Sequence, residues 1–209
     1  MNVTSLQSLT GLLGIAFASG VNLYAAVLVV GLGLRYQLLQ GLPPELAPLA
    51  HPAVLITAGV LYCLEFVADK VPVLSAVWDT AHTVIRPIGA AAVAVLAASQ
   101  LGGVERTVIG LLGGAAALTS HATKMGVRLL SHGEPVTHAG LSVAEDAFAV
   151  SLVALAAQYP YVALVVTVVL LIFAAVILTL AWKALFAVMR GIRNRCRSWF
   201  GAPAGAVRT

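Results

Sequence analysis

The sequence predicts an all-α integral membrane protein of about six transmembrane helices. Three observations predict it. Of its 209 residues, 60% are hydrophobic and only 10% are charged. The apolar residues fall in repeated runs of near bilayer-crossing length. Those runs are rich in Gly and Ala, which let helix backbones approach closely in lipid. A soluble domain built this way would have no surface to show water.

The first run, about Leu9 to Gly33, is closed by Arg35. Met1 to Thr10 has no basic start and no cleavage site follows, so the run reads as a retained helix rather than a signal peptide. Ser19, Gly20, Asn22 and Tyr24 interrupt it. Two readings stay open there: a partly unwound stretch facing a cleft, or a small-residue packing face with an interhelical Asn22 hydrogen bond. A polar, Pro-rich connection follows from Gln37 to Pro52.

The second span, about Ala53 to Val71, carries Glu65 and Asp69 in its last third with Lys70 beside them. From Val73 to Arg86 an apolar stripe opposes Ser75, Asp79, His82 and Arg86, the pattern of a short amphipathic or re-entrant helix. Pro87 is expected to break it, and Ile88 to Leu101 is short for a crossing alone, so the two pieces count as one interrupted third span. The fourth runs from about Val108 to Lys124 and the fifth from about Leu141 to Gln158, joined by a polar link from Arg128 to His138. The sixth, from near Val162 to about Val188, is long enough to tilt or protrude.

Six spans place both termini on one face. With Lys70, Arg86, Lys124, Arg128 and the Arg190, Arg193, Arg195 and Arg197 tail inside, only Arg35 and Arg106 remain outside, balanced by Glu45 and Glu105. The positive-inside rule then predicts both termini cytoplasmic, and the localisation expected is a multipass protein of a bacterial cytoplasmic membrane. Residues 1–190 form one transmembrane domain with halves 1–101 and 102–190, and 191–209 form a basic tail. Three spans per half would make any repeat an inverted 3+3 repeat, for which Ser19, Gly20 and Asn22 against Thr119, Ser120 and His121 offer a faint echo. The net charge of +4 sits largely in that tail, where it points to anionic lipid and not to nucleic acid.

Candidate functional residues follow from cost. Glu65 and Asp69 share a helix face and are expensive in lipid, so they are expected to face the interior, a cavity or the interface. They fit a proton or cation relay, a substrate ligand, or salt bridges to Lys70, Arg86 or Lys124. Asp79, His82 and Arg86 recur near one face; Asp79 is placed to orient His82, and Arg86 to meet an anionic headgroup beside carbonyls freed at Pro87. His121 lies in the fourth span with Lys124 at i+3 and Arg128 four later, Glu145 and Asp146 enter the fifth, and His121 with Glu145 fits a buried proton-handling pair or a structural hydrogen bond. His82, His121, His132 and His138 lack metal-ligand spacing, Cys63 and Cys196 form no framework, and no nucleotide or serine-elbow motif occurs, so neither a metal nor a cofactor is expected.

Several separated motifs carry a resemblance. Glu65-Phe66-Val67-Ala68-Asp69-Lys70-Val71-Pro72, Trp78-Asp79-Thr80-Ala81-His82-Thr83 and Ile85-Arg86-Pro87 stand in the first half. Ser120-His121-Ala122-Thr123-Lys124, Arg128, Glu134-Pro135 and Leu141-Ser142-Val143-Ala144-Glu145-Asp146 stand in the second. Over about residues 10 to 185 the chain resembles the small multipass proteins catalogued as domain of unknown function 4126. The resemblance implies an integral membrane protein and no agreed activity. It marks Glu65, Asp69, Lys70, Trp78, Asp79, His82, Arg86, His121, Lys124, Arg128, Glu145 and Asp146 as the shared pattern, with departures at Ser75, where an acidic residue is usual, and near His138, where Asn is.

The residues thus predict a small secondary carrier or permease for a small anionic solute or lipid headgroup, with proton coupling, alone or as a homo-oligomer. The competing expectation is a non-catalytic scaffold or assembly factor whose buried charges are structural salt bridges. An enzyme would need a convergent pocket that the sequence does not establish.

Overall fold

A computed structural model describes the backbone of residues 3–130 and 135–200 and the side chains of 10–71, 73–128 and 140–195. His132, Glu134 and the side chains of Pro135, His138 and Cys196 lie outside what is described. The described residues form seven α-helices and one 3-10 helix, with no strand. The α-helices are α1 (Val3–Val21), α2 (Leu23–Arg35), α3 (Pro52–Ala68), α4 (Pro72–Ala97), α5 (Gly103–Leu130), α6 (Pro135–Gln158) and α7 (Pro160–Phe200). Four of them open on proline, which suits a first turn because its missing N–H would go unbonded there anyway.

The expected first span is broken. Asn22 takes an extended conformation (φ −147°, ψ 104°), and its Oδ1 accepts from the Ala25 amide at 2.9 Å to cap α2. The two arms then lead back to one end of the molecule. Gly11 in α1 packs on the Ala156 carbonyl, while Gly41, six residues beyond α2, packs on the Ala157 carbonyl. A Cβ at Gly41 would lie 1.9 Å from that oxygen, so only glycine permits the approach. Hence α1 and α2 form a re-entrant helical hairpin with its tip at Asn22, and α2 is about 20 Å long.

α3 runs antiparallel to α2, with Leu55 beside Gly31 and Tyr62 reaching the tip side. α4 returns, α5 runs parallel to α1, α6 returns again, and α7 runs alongside α1 and α5 from Ala163 near Gly14 to Ala181 near Gly126. Val3 therefore starts at the Ala157 end and α7 finishes at the opposite one. That removes the first crossing on which the expectation of both termini on one face relied.

Three described helical segments have the length and apolar composition to cross a bilayer: Val73–Ala97, Gly140–Gln158 and Pro160–Arg195. A fourth is the 3-10 helix Pro44–Ala50 with α3, bent by 67°. α5 has 28 residues but is too polar to join them, because it carries much of the charge described below. The six spans and the 3+3 repeat expected from the sequence are not reached by this measure.

α4 passes through Pro87 without the expected break. Proline removes only its own N–H from the ladder, and Gly110, Gly113 and Gly114 bring α5 close against the length of α4 from Pro87 to Val95, which holds the helix together. α7 exceeds its expected bounds, its 41 residues extending about 62 Å.

Burial is inverted relative to a soluble domain. Ile56, Val60, Val84, Ile88, Val165 and Ile172 are more than half exposed, while Arg86 and His121 are fully buried. A lipid-facing exterior and a polar interior are what a bilayer requires. Ile15, Phe17, Val30, Leu46, Leu152 and Val153 form the apolar core beside the hairpin.

Candidate functional site

The hairpin tip supplies the floor of the site. Because the helix stops at Asn22, the last carbonyls of α1 lose their intrahelical partners. The Gly20 carbonyl accepts from Arg86 Nη1 at 3.0 Å and the Val21 carbonyl from Lys124 Nζ at 3.4 Å. The negative end of the α1 dipole thus faces two cations. Freed carbonyls were expected at Pro87; they come from Asn22 instead.

Around this tip, α3, α4, α5 and α6 converge. Arg86 Nη2 donates to Glu65 Oε1, and Nη1 also donates to His121 Nδ1 at 2.7 Å. A guanidinium has no acceptor, so His121 accepts at Nδ1 and carries its proton on Nε2, which donates to the Asp79 carbonyl at 3.1 Å. The expected His121–Glu145 pair is therefore not formed. Glu145 instead takes Lys124 at 3.1 Å and Arg128 Nη2 at 2.9 Å.

Arg128 is the hub. Its Nη1 donates to Asp79 Oδ2 at 2.7 Å and Ser75 Oγ at 2.9 Å, and its Nη2 to Asp69 Oδ2 at 3.0 Å and Glu145 Oε2 at 2.9 Å. One planar guanidinium thereby joins α5 to α3, α4 and α6, which a point-like ammonium cannot do. Asp69 Oδ2 also takes Ser142 at 3.2 Å and Lys124 at 3.5 Å. Seven ion pairs link Arg86, Lys124 and Arg128 to Glu65, Asp69, Asp79 and Glu145 among the described residues.

Two expected members sit differently. His82 is not oriented by the Asp79 carboxylate. Its Nδ1 bonds the Trp78 carbonyl at 2.8 Å, its ring stacks on Trp78, and its Nε2 lies 2.9 Å from the Tyr24 hydroxyl. Lys70 stands outside the network, exposed, with Nζ over the Phe66 ring at 3.3 Å and bonded to the Phe66 carbonyl. It snorkels at the helix end.

Asp146 joins the tip directly, accepting from Asn22 Nδ2 at 2.8 Å and from Tyr62 Oη at 3.2 Å. The expected interhelical hydrogen bond of Asn22 is formed, and the same residue breaks the helix. Its substitution is informative: Asn22→Ala removes the cap and the Asp146 bond together. The cap alone is worth about 1 kcal/mol, so a lower thermal midpoint of the purified protein is expected, and an unchanged midpoint would show the tip to be held otherwise.

Tyr62 and Ser142 were not singled out by sequence reasoning. Each stands one helical turn from a carboxylate that was, Tyr62 three before Glu65 and Ser142 three before Glu145, and that spacing was the available signal.

No group of three or more His, Cys, Asp or Glu side chains able to hold a metal occurs among the described residues. Two apolar lateral cavities flank the tip. One, of about 290 Å³, lies among α1, α5, α6 and α7, with Phe17, Phe148, Leu170 and Phe173 on its walls and Lys124 and Glu145 at its polar edge. The other, of about 380 Å³, lies among α2, α3 and α4 and reaches Tyr24.

Residues 9–183, which hold every member of this network, match the family described as a domain of unknown function, DUF4126. The chain belongs to that family. No curated protein and no solved structure matches this DUF4126 member, so its chemistry is read from its own geometry.

Proposed function

We propose that this DUF4126 protein is a small membrane carrier for an anionic amphiphile, its headgroup drawn to Lys124 and its chain held in the neighbouring apolar cavity. The observation that carries this is the junction of the two environments: Lys124 and Glu145 line a cavity whose other walls are apolar apart from the hydroxyls of Ser120 and Thr123. An apolar pocket with a few convergent polar groups is the ordinary form of a small-molecule site. The broken α1–α2 pair supports the carrier reading, since secondary transporters build central sites from discontinuous helices whose carbonyl ends face cations.

Orientation follows from charge. Lys70, Lys124, Arg128 and the arginines of α7 lie toward one end, Arg35 and Arg106 with Glu45 and Glu105 toward the other. We place the Lys70 end in the cytoplasm, which puts the amino terminus on the far face.

Reconstituted vesicles carrying a fluorescent phosphatidylglycerol or phosphatidylcholine, with dithionite quenching of the outer leaflet, test the carrier. The anionic lipid is expected to cross faster than in empty vesicles and faster than the zwitterionic one. Lys124→Gln is expected to slow it by about tenfold, the equivalent of roughly 1.4 kcal/mol. Equal, protein-independent rates for both lipids would contradict the proposal. The seven closed ion pairs favour the second reading, a scaffold whose charges fix helix packing; it predicts no lipid movement at all.

A further inference from the structure

We propose that the hairpin tip is a binding site for one exchangeable positive charge, a proton or a sodium ion, held at Asp146 and the free oxygen of Glu65. This rests on the carrier reading only in making that charge the coupling ion; the site itself is argued from charge and contact.

Among the described residues the network carries an excess of carboxylates. Glu65, Asp69, Asp79, Glu145 and Asp146 stand against Arg86, Lys124 and Arg128, five carboxylates to three cations. His121 adds no charge, because its Nδ1 accepts from Arg86. Even a charged His82 would leave one carboxylate over. An unmatched carboxylate in a low-dielectric interior is unstable and calls for a counter-charge.

Two observations place that counter-charge. None of the seven ion pairs among the described residues includes Asp146, which bonds the neutral Asn22 and Tyr62. Glu65, 1% exposed, keeps Oε2 without any hydrogen bond while Oε1 engages Arg86. The two carboxylates lie in each other's field, and Tyr62, one turn before Glu65 on α3, touches Asp146. Glu65 pairs with Arg86 from α4 and Lys124 from α5, and it is within electrostatic range of Tyr62 on α3, Asp69 at the end of α3, Asp146 from α6 and Tyr24 from α2. Only Arg86 and Lys124 among them are positive, and Lys124 is shared with Asp69 and Glu145.

Proton binding forms an O–H bond on one carboxylate oxygen as hydronium becomes water; sodium binding changes no covalent bond and uses carboxylate, hydroxyl and amide oxygens.

The test is charge displacement on a solid-supported membrane, using full-chain protein in liposomes. Wild type is expected to give a transient current on a pH jump in sodium-free choline buffer, or on a sodium jump at constant pH and ionic strength. Asp146→Asn, which still offers an oxygen to Asn22 or Tyr62, is expected to reduce it at least about tenfold, and Glu65→Gln likewise. A current on the pH jump alone identifies the proton, on the sodium jump alone sodium, and on both with mutual inhibition one shared seat. No current on either jump, or one unchanged in both variants that remain monodisperse, would overturn the proposal. A lost current with lipid movement intact sinks this inference alone; a current that depends on Asp146 with no lipid movement sinks the carrier reading and leaves the ion site standing.

Discussion

Arg128→Ala is expected to destabilise the protein by about 3–5 kcal/mol, the usual cost of removing one partner from a buried ion pair. The guanidinium serves Asp69, Asp79 and Glu145 together, so its loss takes a partner from three carboxylates at a four-helix junction. Lys124 still reaches Asp69 and Glu145 but makes no ion pair with Asp79, which is left with its other oxygen already unbonded. Arg128→Lys is expected to recover only part of the loss, because one ammonium cannot span the separation from α4 to α6 that two Nη groups cover. Thermal unfolding of the purified protein reads both variants. An unchanged midpoint for Arg128→Ala would mean that the junction is held by apolar packing and the charges are incidental.

Gly20→Ala is expected to cost about 3 kcal/mol, at the upper end of ordinary overpacking. A Cβ there would lie 1.9 Å from Ser120 Oγ and 2.1 Å from the Ala117 carbonyl oxygen. The serine side chain can turn aside, but the carbonyl belongs to the α5 backbone, so the helices must separate. Separation also lengthens the Gly20–Arg86 and Phe17–Ser120 contacts, now 3.0 and 2.7 Å. Gly59→Ala is the control: nothing lies within 4 Å of its Cβ, and alanine in a helix is expected to be neutral or to gain up to about 1 kcal/mol. Equal midpoints for the two variants would refute close packing at the tip.

The charged centre was legible because ionisable residues are rare in membrane helices and each one stands out. Every candidate except Lys70 meets the network or its margin. Which residue pairs with which was not legible. Spacing says that Asp79 and His82 share a face, yet the Asp79 carboxylate turns to Arg128 on another helix, and His121 turns to Arg86 rather than Glu145. Partner choice depends on the heights at which helices pack, which no local pattern encodes.

The hairpin was hidden for the same reason. Asn22 signals an interruption, but whether the chain then continues or doubles back is set by Gly11 against Ala156 and Gly41 against Ala157, contacts far apart in sequence. Pro87 misled in the opposite direction. A local rule predicted a break, and the glycine-mediated fit of α5 on α4 overrode it.

The proposed carrier requires that this buried network open alternately to the two faces, and Ser142 tests that most directly because it is 1% exposed and bonds Asp69. In a chain with Cys63 and Cys196 replaced by serine, Ser142→Cys is treated with a membrane-impermeant methanethiosulfonate, once in spheroplasts and once in inverted vesicles. The account predicts labelling from both faces, slow in each case because the closed state dominates. Labelling from neither face, or from one face only however long the exposure, would contradict it and leave the network a fixed tie between helices.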